Sequence, residues 1–79
     1  MITVKLFGLL RLETGIKELQ VEASSIEQVY AALLQQAPNI INRADIEGCV
    51  IFINGTQGNK KSILKSGDIV TLMSPVAGG

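Results

Sequence analysis

Histidine and tryptophan are absent from the 79 residues, cysteine occurs once, and only three side chains are aromatic. With no imidazole and a single thiol, the chain cannot assemble an intrachain disulfide, a Cys/His zinc site or a histidine-based triad. The scarcity of large rings leaves Ile, Leu and Val to build the core. Net charge is missing as well. Seven basic side chains balance seven acidic ones, which removes the electrostatic footprint of a nucleic-acid or anionic-membrane binder. No apolar run approaches the ~20 residues of a membrane span. The segment Met1 to Lys5 lacks the basic, apolar and small-residue layout of a signal peptide. The expectation is a cytoplasmic protein without nucleic-acid or membrane partners.

What is present suits one small α+β domain over residues 1–79. Ile2, Val4 and Leu6 alternate with Thr3, Lys5 and Phe7, the pattern of a first strand running into Gly8-Leu9-Leu10. Arg11 to Gly15 reads as a turn, and Ile16 to Glu22 as a second strand closing a hairpin. Ser24-Ser25, with Glu27 or Gln28 three residues on, offers a capping box. Ile26, Val29, Tyr30, Leu33 and Leu34 then form the apolar face of a helix that Ala37-Pro38 stops. Asn39 to Gly48 reads as irregular, and Cys49 to Ile53 as a buried third strand leading into the turn Asn54-Gly55. Gln57 to Ser62 is polar and exposed. Gly67-Asp68 lies in a turn before the β-branched strand Ile69 to Met73, and Pro75 leads the chain out of the sheet. This order predicts a β-grasp, ubiquitin-like fold. One main helix covers one face of a mixed four- to five-stranded sheet, with the first strand central and parallel to the last.

Catalytic constellations are missing. Gly55, Gly58 and Lys60-Lys61 do not stand in the strand-to-helix context that a phosphate-cradling loop needs. The carboxylates are scattered over turns and wet faces. Cys49, inside an apolar run with no basic neighbour, reads as a buried inert thiol. The chain alone is therefore not expected to be an enzyme. The segment 74–79 follows the last strand directly and spans up to roughly 20 Å when extended. Gly78 and Gly79 remove every β-carbon around the terminal carboxylate, so the main chain can thread a narrow channel and leave its carbonyl carbon open to attack. An α-carboxylate with a reference pKa near ~3.5 is ionised at neutral pH and can attack a nucleotide's α-phosphate.

Five segments together resemble the sulfur carriers of the MoaD/ThiS type, most closely the molybdopterin synthase small subunit. They are Phe7 to Arg11, Ser25 to Val29, Ile53 to Gly55, Leu64 to Val70, and Pro75-Val76-Ala77-Gly78-Gly79. The resemblance covers the whole chain. It implies that an E1-like, MoeB-like adenylyltransferase uses ATP to adenylate Gly79, and that sulfur transfer then makes a thiocarboxylate. The tail Pro75, Val76, Ala77 and Gly78 would carry that sulfur into a MoaE-like large synthase subunit, within a heterotetramer, for delivery to a pterin precursor in molybdenum cofactor biosynthesis. No cofactor is expected on this chain, and no metal.

Strand parity suggests where such a partner docks. If Val70 and Leu72 face the helix, Thr71 and Met73 face outward beside Phe7, and with Arg11 they form a partner-binding patch. The same residues also fit a last strand buried on both faces. Two positions depart from the synthase pattern: Ser74 stands where proline or an aromatic is frequent, and Leu12 where an acidic residue is common. Three other readings share the fold. These are a thiamine-pathway carrier, a ubiquitin-like protein modifier joined to lysines through Gly79, and an interaction module whose tail is idle.

Overall fold

The computed structural model describes residues 1–74. Its elements run β1 (Ile2–Phe7), α1 (Leu9–Thr14), β2 (Glu18–Val21), α2 (Ile26–Gln36), α3 (Arg43–Glu47), β3 (Val50–Ile53), β4 (Thr56–Gln57) and β5 (Ile69–Met73). They build one five-stranded mixed sheet in the order β2-β1-β5-β3-β4. β1 pairs antiparallel with β2 and parallel with β5, in register from Thr3 opposite Ile69 to Phe7 opposite Met73. The architecture is the expected β-grasp.

The core follows from two periodicities meeting. Alternation in β1 and β5 puts Ile2, Val4, Leu6, Val70 and Leu72 on one face, all with no exposed surface, and Ile26, Val29, Tyr30 and Leu33 of α2 join the same cluster. Burying each of these aliphatic side chains contributes roughly 1.5–3 kcal/mol relative to leaving it in water. Helix α2 begins as its sequence predicts, with the Ser25 hydroxyl accepting from the Gln28 amide at 3.2 Å. The reciprocal bond is displaced by one residue, because the Gln28 side chain accepts from the Ser24 amide instead.

Several boundaries differ from expectation. β1 stops at Phe7 and not at Leu10, because Gly8 takes φ +73° and turns the chain into α1. The expected turn from Arg11 to Gly15 is thus mostly helix, and it buries Leu10 at the end of the core. The segment read as irregular contains α3. Asn42 and Asp45 form a full capping box, the side chain of each accepting from the other's amide at 3.0 and 3.1 Å. Asp at the third helical position does there what Glu or Gln does in the familiar pattern. β4 is a two-residue strand returning through Asn54 and Gly55, both with positive φ, the geometry of a tight hairpin turn. β3 is not buried on both faces. Ile51 is buried, whereas Val50 is 42 % exposed and Phe52 half-buried, since the helices cover only one side of the sheet. Among the described residues no helix is long and apolar enough to cross a membrane.

A clamp fixes the start of β5. The Asp68 carboxylate accepts from the Lys65 amide and from the Asn54 side-chain nitrogen, while the Asn54 side-chain oxygen, Oδ1, accepts from the Ile69 amide. The Gly67 amide reaches back to Met1 and the Thr3 amide to Asp68. The Asn54-Gly55 and Gly67-Asp68 turns therefore close one structure. The Lys65 amide, and after it the Asn54 amide, hold the Asp68 carboxyl below its ordinary range. A depressed folded-state pKa contributes stability above the unfolded value of about 3.9, and that contribution is lost as the pH falls through the lower folded value. We expect Asp68→Ala to be less stable than the parent at neutral pH, with the difference shrinking steadily below about pH 4 in urea titrations. A difference that persists unchanged into acid would contradict this assignment.

Candidate functional site

The end of β5 gathers most of what the sequence singles out. Met73 lies opposite Phe7 on one side and Val50 on the other, and Thr71 lies between Lys5 and Phe52. Met73 is 44 % and Phe7 38 % exposed, whereas their neighbours Leu6 and Leu72 are fully buried. The outward face of the last strand is thus open and apolar. It is a second face and not part of the core. The Arg11 guanidinium sits 5.9 Å from the centre of the Phe7 ring, a cation–π distance that holds the arginine against the patch. Phe7, Arg11, Thr71 and Met73 are therefore brought to one region.

Val50 and Phe52 belong to the same surface but escaped the sequence reading. The run Cys49 to Ile53 is apolar at every position, so alternation gave no signal there. Only its pairing with β5 separates inward Ile51 from outward Val50 and Phe52.

Ser74, expected to open the tail, belongs to the body. It is buried, its amide donates to the Phe7 carbonyl at 3.3 Å, and its hydroxyl donates to the same carbonyl at 3.0 Å. The hydroxyl oxygen also accepts from the Leu10 amide at 2.9 Å. A β-carbon at Gly8 would stand 2.3 Å from the Ser74 carbonyl oxygen, so only glycine lets the two segments approach. Pro75, Val76, Ala77, Gly78 and Gly79 lie outside the described residues.

A second region surrounds Tyr30 and Cys49. With Glu47, Val50 and Lys60 they line a cleft of about 290 Å³. Glu27, Arg43, Glu47 and Lys60 form a chain of ion pairs, and Arg43 lies 5.3 Å from the centre of the Tyr30 ring. These charges are largely solvent-exposed, so the pairs add little stability. Burial pushes the Cys49 thiol up to about 11, with the Asp45 charge adding to it. Burial likewise raises Tyr30. For Cys49 the shift lowers the thiolate fraction on which thiol reactivity depends.

A model of the ThiS family matches residues 4–79. No curated protein matches the chain. Among solved structures, SAMP1 from Haloferax volcanii is 20% identical with a TM-score of 0.82, covering 99% of this chain and 98% of that one. The small archaeal modifier protein 1 (SAMP1) from Methanosarcina acetivorans is 26% identical with a TM-score of 0.77, at 99% and 95% coverage. A complex of subunits 1 and 2 of the molybdopterin-converting factor from Helicobacter pylori gives 23% identity and a TM-score of 0.67, at 99% and 97% coverage.

With its thiol protonated and enclosed, Cys49 should resist iodoacetamide at pH 7.5 in the native protein and react fully in 6 M guanidinium. Rapid native labelling, read by intact mass, would show that the thiol is accessible.

Proposed function

Because the chain belongs to the ThiS family of ubiquitin-like sulfur carriers, we propose that it carries sulfur on Gly79 as the small subunit of a molybdopterin synthase. The observation that supports this most is that the family match runs through Gly78 and Gly79, on a body whose open apolar face lies where β5 ends. In the proposed cycle a carboxylate oxygen of Gly79 attacks the α-phosphorus of ATP, bound by a MoeB-like partner, and pyrophosphate leaves. Hydrosulfide (HS−) attacks the acyl carbon of the adenylate and AMP leaves, giving a thiocarboxylate, because a carboxylate is a poor acyl donor and AMP a good leaving group. Inside the large subunit the thiocarboxylate sulfur displaces an oxygen leaving group from the pterin precursor, and water cleaves the thioester so formed, leaving the sulfur on the pterin and restoring the Gly79 carboxylate. This chain supplies the reacting terminus and its placement, while the partners supply the catalytic groups. The proposed place of this cycle is the cytoplasm, where ATP is at hand for the activation step.

The face formed by Phe7, Thr71, Met73, Val50 and Phe52, flanked by Arg11, is the proposed docking surface for the MoaE-like subunit. Apolar patches of this kind mark interaction sites, and buried aromatic and Arg anchors carry much of the energy in protein interfaces. Met73→Lys should weaken that complex at least roughly tenfold, as expected for a central anchor, without lowering the melting temperature, since Met73 is already half in water. Calorimetric titration measures the first and thermal unfolding the second. Unchanged affinity would remove the patch from the interface.

A second reading is favoured by the likeness to a small archaeal modifier protein. In it Gly79 forms an isopeptide bond to lysines of other proteins. Mass spectrometry of protein from cells separates the two. Exchange of one oxygen for sulfur adds about 16 Da at the C-terminus, whereas a modifier yields covalent adducts that survive denaturing gels. Deleting Gly79 should abolish the added mass and cofactor production while leaving thermal unfolding unchanged. Full cofactor production by the truncated chain would overturn the carrier reading.

A further inference from the structure

We infer that Ser74 is a positioning residue: its hydroxyl, by capping α1 from the far end of the chain, fixes the point at which the C-terminal segment leaves the fold. The inference rests on the carrier reading and adds a determinant of the tail's presentation to its partners.

The argument starts from α1. Its N-cap position is Gly8, which has no side chain to satisfy the free amides of the first turn, and no cap bond is made there. The Leu10 amide, at the second helical position, is the amide that a serine or threonine N-cap would serve. Ser74 serves it from 64 residues away, at 2.9 Å and buried from water. The same hydroxyl spends its proton on the Phe7 carbonyl, which the Ser74 amide also contacts. Three hydrogen bonds thus converge on one residue just past the last ladder pair, Phe7 with Met73. Without the hydroxyl, Ser74 would keep one long amide contact of 3.3 Å, and the Leu10 amide would be left buried and unpaired.

This placement has a geometric consequence. A residue just after a strand normally rotates about its own φ and ψ, and each degree of freedom at the root of a segment multiplies the volume its end explores. Fixing the root raises the effective concentration of the end at a target held at a fixed position. The target here is the adenylation site of the activating partner. Because Arg11 of α1 lies over Phe7, the hydroxyl also ties that face to the root. The close approach at Gly8 depends on glycine, since a β-carbon there would meet the Ser74 carbonyl oxygen at 2.3 Å and its hydroxyl oxygen at 2.7 Å.

The test compares wild type, Ser74→Ala and Ser74→Thr in adenylation by the activating enzyme with ATP, alongside amide hydrogen exchange. Threonine keeps the hydroxyl and adds one methyl at a residue that lines, with Leu9 and Ala44, a cleft of about 240 Å³. The expected result for Ser74→Ala is a KM for the carrier raised roughly three- to thirtyfold, with kcat within about twofold. Leu10 amide exchange should be faster at least about tenfold while α2 amides are unchanged, and Ser74→Thr should recover both. A merely stabilising role would leave KM alone at temperatures where every variant is folded. Equal KM values for wild type and Ser74→Ala overturn the inference and leave the carrier reading standing, as does a Ser74→Thr variant no better than alanine. Failure of the wild-type chain to be adenylated overturns the carrier reading itself, and the positioning role with it.

Discussion

Five consecutive pairs, from Thr3 with Ile69 to Phe7 with Met73, join the first strand to the last in parallel, and every other element is arranged around that ladder. A parallel pair cannot be closed by a tight turn, so the chain between must travel out and back. It does so by way of α2, which covers the inner face that Val4, Leu6, Val70 and Leu72 present. Joining the two ends of the chain is a non-local contact that the polymer closes at an entropic cost growing only logarithmically with separation. Once it is closed, β2 and β3 can add to its two edges as antiparallel neighbours.

The single-sided cover explains why one sheet has two characters. Helices pack on one face, and there the sequence alternation is clean. On the other face nothing in the described chain covers Phe7, Met73, Val50 and Ile69, each more than a third exposed. Isolated exposed apolar residues are ordinary, whereas neighbours across three paired strands form a contiguous surface. The domain thus spends part of a limited apolar composition outside its own core, and it compensates with hydrogen-bonded ends: the Asn54–Asp68 clamp at the start of β5 and Ser74 at its finish.

Much of this was legible in the sequence, for identifiable reasons. α2 is long enough for a 3.6-residue period to show, and its serine cap and proline stop are local signals. β1 alternates, and the order of elements with a right-handed crossover predicts its parallel pairing with the last strand and so places Phe7 beside Met73, although both faces of β5 are largely apolar. α1 and α3 were missed because helices of six and five residues are too short for periodicity, and one takes its cap from a residue at the other end of the chain. No window along the sequence contains both Ser74 and Leu10. Val50 and Phe52 were hidden by the uniform apolarity of β3. Ser74 was placed in the tail because a serine before proline looks like a strand exit, and nothing local reveals a buried partner.

The position of β5 has a mechanical meaning. A load applied to the chain beyond β5 would enter the fold at Ser74 and run down the axis of that strand. The strand is flanked on both sides, by β1 and by β3. Ladder bonds lie across a strand, so an axial load reaches them together in shear and does not open them one at a time from an edge. Such a load is thus shared between the two ladders that flank β5.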